Sequence, residues 1–310
     1  MVQIRVLVNA LRYVLDQAID YAGMYPPASL SLPEALKSYH RHRSGAEAWM
    51  VKRMVLSIDA ISKIDPGALG SGGEFRFAMI PRRETSDWLA TLRADLVALN
   101  FFLKKCPAAV ADVLEILLPA VSSRGELERL LRSATGQLVG HAAFFEVVTG
   151  PDFLRRFEGA AEAVAGFGEL NWGLKLRTGG TTADLYPAPS TVARALVIAR
   201  DHRVPIKFTA GLHHPIRHWN KSVGARMHGF INILMAGLLA NHHGLSPERV
   251  ASILEEEEPS NFSFTELTAD WRDLALPVEA IPKWRERVAS FGSCSVDEPK
   301  EDLERLGWFV

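Results

Sequence analysis

Short apolar runs recur along the chain, and most are separated by stretches whose apolar residues repeat at helical spacing. Strand-like runs fall at Met50–Ile58, Phe75–Ile80, Val113–Leu118, Phe144–Val148, Leu174–Arg177, Ile206–Thr209, Phe262–Leu267 and Ala289–Cys294. Helical spacing predicts helices over Ser86–Leu99, Glu126–Leu138, Pro151–Ala165 and Ser190–His202, with a shorter one over Pro282–Arg287. Pro151 and Pro189 mark helix starts, because a first turn has no use for the N–H that proline lacks. Eight strands alternating with helices predict an α/β fold of the (β/α)8 barrel type.

Two segments depart from the alternation. In Met1–Gly23, Leu7, Leu11, Val14, Leu15, Ala18, Ile19 and Ala22 take one helical face and Arg5, Arg12, Asp16 and Asp20 the other. The charges exclude a secretory or membrane-spanning segment and predict an amphipathic helix. Residues 1–45 are therefore expected to be an N-terminal helical extension, connected through Pro26, Pro27 and Pro33 to a barrel over 46–310. A helical excursion at about 219–259 follows the sixth strand: a histidine-rich loop leads into an apolar helix over Val223–His243 and a second over Pro247–Glu256. Phe230–Ala240 is too short to cross a bilayer and is expected to be buried. Glu255–Glu258 reads as a solvated helix end, His242 and His243 as helix C-terminal residues, and His40 and His42 as a polar helix surface.

Successive side chains of a strand point to opposite faces, so alternation sorts what each strand carries inward. Leu174 and Leu176 share one face while Lys175 and Arg177 share the other; Ile206 and Phe208 oppose Lys207 and Thr209. The outer face of a barrel packs on helices, which turns Lys175, Arg177 and Lys207 inward, together with Glu115 and Glu146. An ion removed from water costs several kcal/mol unless it is paired. Either these groups form an ion-pair network that fills the barrel, or they form a site, where such costs are commonly met.

Three of these strands run into polar or glycine-bearing loops at their C-terminal ends, where barrel enzymes place their chemistry. Arg177 is suited to holding a carboxylate or phosphate, and Gly179 and Gly180 either let backbone N–H groups approach an anion or make a tight turn. His213 and His214 stand at a strand mouth, placed to move protons or to pack and cap. Ser293 lies in the small-residue stretch Ser290–Ser295, where barrels often hold phosphate. Cys294 has no base adjacent in sequence and is expected to be a buried inert thiol.

Composition narrows the partners. Of 310 residues 48% are hydrophobic, enough for a large core, and 35 Lys and Arg balance 36 Asp and Glu to a formal net charge of -1. Neither a nucleic-acid nor a membrane partner is indicated. Two cysteines make no disulfide framework, so a cytoplasmic protein is expected. No metal or cofactor is expected, because the spacing of His213, His214, His218 and His228 matches no recognised ligand element. A homo-oligomer assembled through helices is compatible with the pattern.

The segment from about Phe144 to Arg217 resembles the deoxyribose-phosphate aldolase-like class I aldolases. The resemblance lies in Phe145-Glu146-Val147-Val148-Thr149-Gly150, Lys175-Leu176-Arg177-Thr178-Gly179, and Lys207-Phe208-Thr209-Ala210-Gly211 with Arg217 beyond. It departs at Arg177, where that family carries a small polar residue, and at His213-His214-Pro215, which has no counterpart there. The resemblance implies a (β/α)8 lyase acting through a Schiff base. Lys175 would be the amine that attacks the carbonyl of a small carbonyl or phosphorylated substrate, and Lys207 the second cation that disfavours protonation of Lys175. Apart from the resemblance, the chemistry of the residues themselves would let Glu146, His213 and His214 move protons, and Arg177, Thr178, Gly179, Gly180, Thr209, Gly211 and Ser293 hold the anionic part. Two alternatives remain at this level: an isomerase or decarboxylase that stabilises an enolate without an imine, and a ligand-binding or scaffold protein whose charges are structural.

Overall fold

The computed structural model describes residues 9–69, 74–83 and 87–308. Eight parallel strands close a barrel. Numbered along the chain, they are β1 (Ile19–Tyr21), β2 (Val51–Ser57), β3 (Phe75–Ile80), β4 (Ala109–Leu117), β5 (Ala142–Glu146), β6 (Trp172–Arg177), β7 (Ile206–Thr209) and β8 (Val288–Ser293). Each pairs with its sequence neighbours, and β1 closes the ring on β8 with Asp20 opposite Gly292.

Helices cover the outside where their caps and apolar faces predict. Trp88–Lys105 starts at Asp87, which accepts the Ala90 N–H; Arg124–Ala134 starts at Ser123, which accepts that of Glu126. Phe153–Ala165 and Pro189–Asp201 follow β5 and β6. Leu174, Leu176, Ile206 and Phe208 are buried in the outer core. Inside, Val55, Ala78, Val113 and Phe144 form a small apolar plug. Phe144 occupies the space that Gly173 leaves: a Cβ on Gly173 would come within 2.6 Å of the Phe144 ring and of the Pro205 carbonyl oxygen.

Three segments of the chain fold differently from their local pattern. Within 9–45, Ala10–Leu15 and Leu32–Ser44 are helical as expected, but Ile19–Tyr21 between them is the first barrel strand, so this stretch is part of the barrel and not an extension to it. Three residues are too few to display alternation, and Leu15, Ala18, Ile19 and Ala22 mimic a helical stripe; Leu7 and Arg5 lie outside the described residues. The excursion consequently follows the seventh strand. It opens with a hairpin, His218–Asn220 and Ala225–Met227, before the helix Phe230–His243, so helical structure begins later than Val223. Phe262–Leu267 does not enter the barrel. Thr265 pairs with Thr268 in a turn that folds Phe262–Phe264, Thr268–Trp271 and Leu274–Pro277 into an antiparallel sheet.

Phe230–Ala240 is buried throughout, and Gly244, at φ +64°, ends its helix just after His242 and His243. Two residues assigned to the surface are interior. Glu256 accepts hydrogen bonds from Trp271 and Arg272, and His42 pairs with Glu47 at 2.8 Å. Their partners come from elements that local pattern cannot bring together. Among the described residues no helix is long and apolar enough to cross a membrane.

Candidate active site

The inward faces of the strands assemble a chain of alternating charge. Lys175 Nζ lies 2.6 Å from Glu115 and 2.9 Å from Glu146. Lys207 Nζ bonds the other oxygen of Glu115 and lies 2.7 Å from Asp20. Arg53 approaches Asp20 at 3.5 Å and holds Asp112 at 2.8 Å, while Arg83, from the loop after β3, reaches Glu146 at 2.5 Å. Asp20, Glu115, Glu146, Lys175 and Lys207 are all at most 2% exposed. Neighbouring registers put them in reach: Lys175 stands opposite both Glu146 and Lys207.

Burial disfavours the charged forms of Glu115, Glu146 and Lys207, and pairing outweighs it. Burial alone would push the Glu115 carboxyl up, yet Lys175 and Lys207 hold it at about 2. Glu146 is likewise lowered against its burial by Lys175 and Arg83. Lys207 is raised against its burial by Asp20 and Glu115, so it is a fixed ammonium. Tyr25 is pushed up to about 12, by burial first and by the Glu115 charge second.

This geometry corrects one part of the expected chemistry. Lys207 does not confront Lys175 as a bare like charge, because the Glu115 carboxylate bridges the two ammonium groups. Any proton leaving Lys175 has a carboxylate in direct contact to receive it. Asp20 is the interior group that sequence reasoning missed. Its Oδ2 accepts from Lys207 and from Ser290, at 2.6 Å, but along the chain it sits on what looks like the polar side of a helix.

A cavity of about 840 Å³ opens above this network at the C-terminal ends of the strands. Lys175 lines its floor; Lys207, Glu115 and Glu146 do not. Arg177 lines the wall and makes no salt bridge or hydrogen bond among the described residues, while Arg82 and Arg83 stand at the rim. His213, His214, Thr209, Gly180 and Gly211 also face the cavity.

The remaining expected residues have structural partners. Thr178 donates its hydroxyl to the Ala210 carbonyl at 2.7 Å, tying the ends of β6 and β7 together. Tyr186 lies against Gly179 and Gly211, and its hydroxyl donates to the Gly180 carbonyl at 2.9 Å. Gly179 therefore serves a close ring contact, and of the glycine pair only Gly180 borders the cavity. Ser293, the last residue of β8, donates to the Ser295 carbonyl at 2.7 Å.

His214 pairs with Asp302 at 2.5 Å. His213 is pushed down to about 4, chiefly by burial and further by His214 and His218, so it is a neutral imidazole. Its Nδ1 lies 3.5 Å from Cys294 Sγ. The base that Cys294 lacks in sequence is thus supplied across the barrel mouth from a position 81 residues away.

Fold and interior together define a parallel (β/α)8 barrel with a buried network of lysines and carboxylates beneath an open cavity. No family model and no curated protein matches the chain. Among solved structures it is similar to the deoxyribose phosphate aldolase from Aeropyrum pernix, described as a unique tetrameric structure. The TM-score is 0.49 and the identity 14%, over 98% of this chain and 99% of that one. The barrel stands on its own strand pairing, and the chemistry on the side chains just described.

Proposed function

We propose that the chain is a lyase that makes or breaks a carbon–carbon bond next to a carbonyl, through an imine on Lys175. The observation that carries this reading is the position of Lys175. It is the interior lysine that reaches the cavity floor, and it does so in contact with two carboxylates.

In the cleavage direction, Lys175 passes a proton to Glu146, and its free amine adds to the substrate carbonyl carbon. The carbinolamine then loses water to give a protonated imine. Glu146 returns its proton to the departing carbinolamine hydroxyl and then takes the proton of the substrate's β-hydroxyl, so that the bond between the α and β carbons breaks, the β carbon leaves as the first carbonyl product, and the electron pair enters the imine as an enamine. Protonation of the enamine and addition of water restore the amine and release the second carbonyl product. Glu146 is the acceptor favoured by the contacts. Glu115 is held by two buried lysines, whereas Glu146 shares one lysine with Arg83, whose side chain is 38% exposed and screened by water. Arg177, two residues beyond Lys175 on the same strand face, would hold a carboxylate or phosphate on the substrate.

One observation favours a second reading. Two carboxylates also suit Lys175 as a permanent ammonium, which would stabilise an enolate without forming an imine. Oxygen exchange separates the two. Imine formation replaces the carbonyl oxygen with solvent oxygen, so in ¹⁸O-labelled water the substrate should gain label faster than with Lys175→Met. Turnover with no enzyme-dependent exchange would leave the enolate route; absence of turnover on any carbonyl substrate would favour a binding protein.

A further inference from the structure

We propose that His213, Cys294 and Glu298 form a transition-metal site of the zinc class at the barrel mouth, with one coordination position open to the cavity. The three come from separate elements: the loop after β7, the end of β8, and the first turn of the helix Asp297–Arg305. One donor atom of each lies within 4.8 Å of the others, and all three residues line the cavity.

The spacing is that of ligands around one ion. A tetrahedral zinc has Zn–S of about 2.3 Å and Zn–N or Zn–O of about 2.0–2.1 Å, which puts sulfur about 3.5 Å from nitrogen and nitrogen about 3.4 Å from oxygen. Here Cys294 Sγ is 3.5 Å and Glu298 Oε2 is 3.7 Å from the same His213 Nδ1. Glu298, with half its side chain exposed, can supply the remaining adjustment.

Charge separates this cluster from its neighbour. His42, Glu47 and Asp297 also converge, but Arg41 holds Asp297 at 2.7 Å and Lys300 approaches Glu47 at 3.7 Å, so cations already occupy that position. Among the described residues no lysine or arginine pairs with Glu298. Three protein ligands with a vacant fourth position is the pattern of sites that take water or a ligand oxygen. On binding, Cys294 gives up its thiol proton to solvent as the metal–sulfur bond forms.

The test is cobalt substitution in the full-length protein after removal of metals with a chelator. One equivalent of Co²⁺ should produce a thiolate-to-cobalt charge-transfer band in the near ultraviolet and intense tetrahedral bands in the visible, and Zn²⁺ should bleach both. Cys294→Ser should abolish the charge-transfer band and Cys106→Ser should keep it. A second measurement needs no variant: Zn²⁺ should protect Cys294 from alkylation, mapped by peptide mass. No band in the wild type, a band that survives Cys294→Ser, or unprotected Cys294 at saturating Zn²⁺ would overturn the site. Imine trapping is performed on the metal-free protein, so the two claims fail separately.

Discussion

Replacing Glu115 by glutamine removes the carboxylate that bridges both buried lysines and keeps its shape. The structure sets the size of the effect. The carboxyl titrates at about 2 rather than 4.5, which at about 1.4 kcal/mol per pH unit corresponds to about 3 kcal/mol of stabilisation. Removing one partner of a buried pair costs about 3–5 kcal/mol, and Lys175 keeps Glu146 while Lys207 keeps Asp20, which favours the lower end. The two routes agree at about 3 kcal/mol, or about 5 °C in Tm for a chain of this size. The sign with pH follows from a folded value below the unfolded one. The stabilisation is complete above about pH 4.5 and is lost as pH falls toward 2. Urea unfolding of wild type and Glu115→Gln should therefore differ by about 3 kcal/mol at pH 7 and converge between pH 4.5 and 2. Equal stability at pH 7, or a difference unchanged down to pH 3, would refute the bridging role.

The other expectations concern the floor, the wall and the plug of the barrel. Asp20→Asn should destabilise the fold by about 2–4 kcal/mol, because Lys207 and Arg53 both lose an anion; urea unfolding measures it, and a change below 1 kcal/mol would place Asp20 outside the network. Arg177→Met should raise KM for anionic substrates about 10-fold or more while leaving stability near wild type, with neutral analogues as the control; equal loss on neutral analogues would show that Arg177 binds no anion. Gly173→Ala should cost about 1–3 kcal/mol by overpacking, since one of the atoms it would meet is the Pro205 carbonyl oxygen, which cannot swing aside.

The sequence carried the barrel where strands were long enough to show alternation. Leu174–Arg177 and Ile206–Thr209 display their faces in four residues, and the inward placement of Lys175 and Lys207 follows from that pattern alone. Glu115 and Glu146 were placed inside on the same ground. What it hid depends on chain closure. Asp20 belongs to a three-residue strand inside a stretch with helical spacing, and only closure of β1 against β2 and β8 reveals its role. The bridging of two ammonium groups by Glu115 is a matter of side-chain reach across β4, β6 and β7, which no local pattern encodes. The meeting of His213, Cys294 and Glu298 likewise depends on a loop, a strand end and a helix start converging at the barrel mouth.

Borohydride trapping shows whether Lys175 forms a covalent imine. The protein is incubated with small anionic aldehydes and ketones, reduced, digested and mapped by mass. Substrate-dependent labelling is expected at Lys175, lost in Lys175→Met and retained at a lower rate in Lys207→Met. Turnover that persists in Lys175→Met, or labelling that falls on a different lysine, would contradict an imine on Lys175.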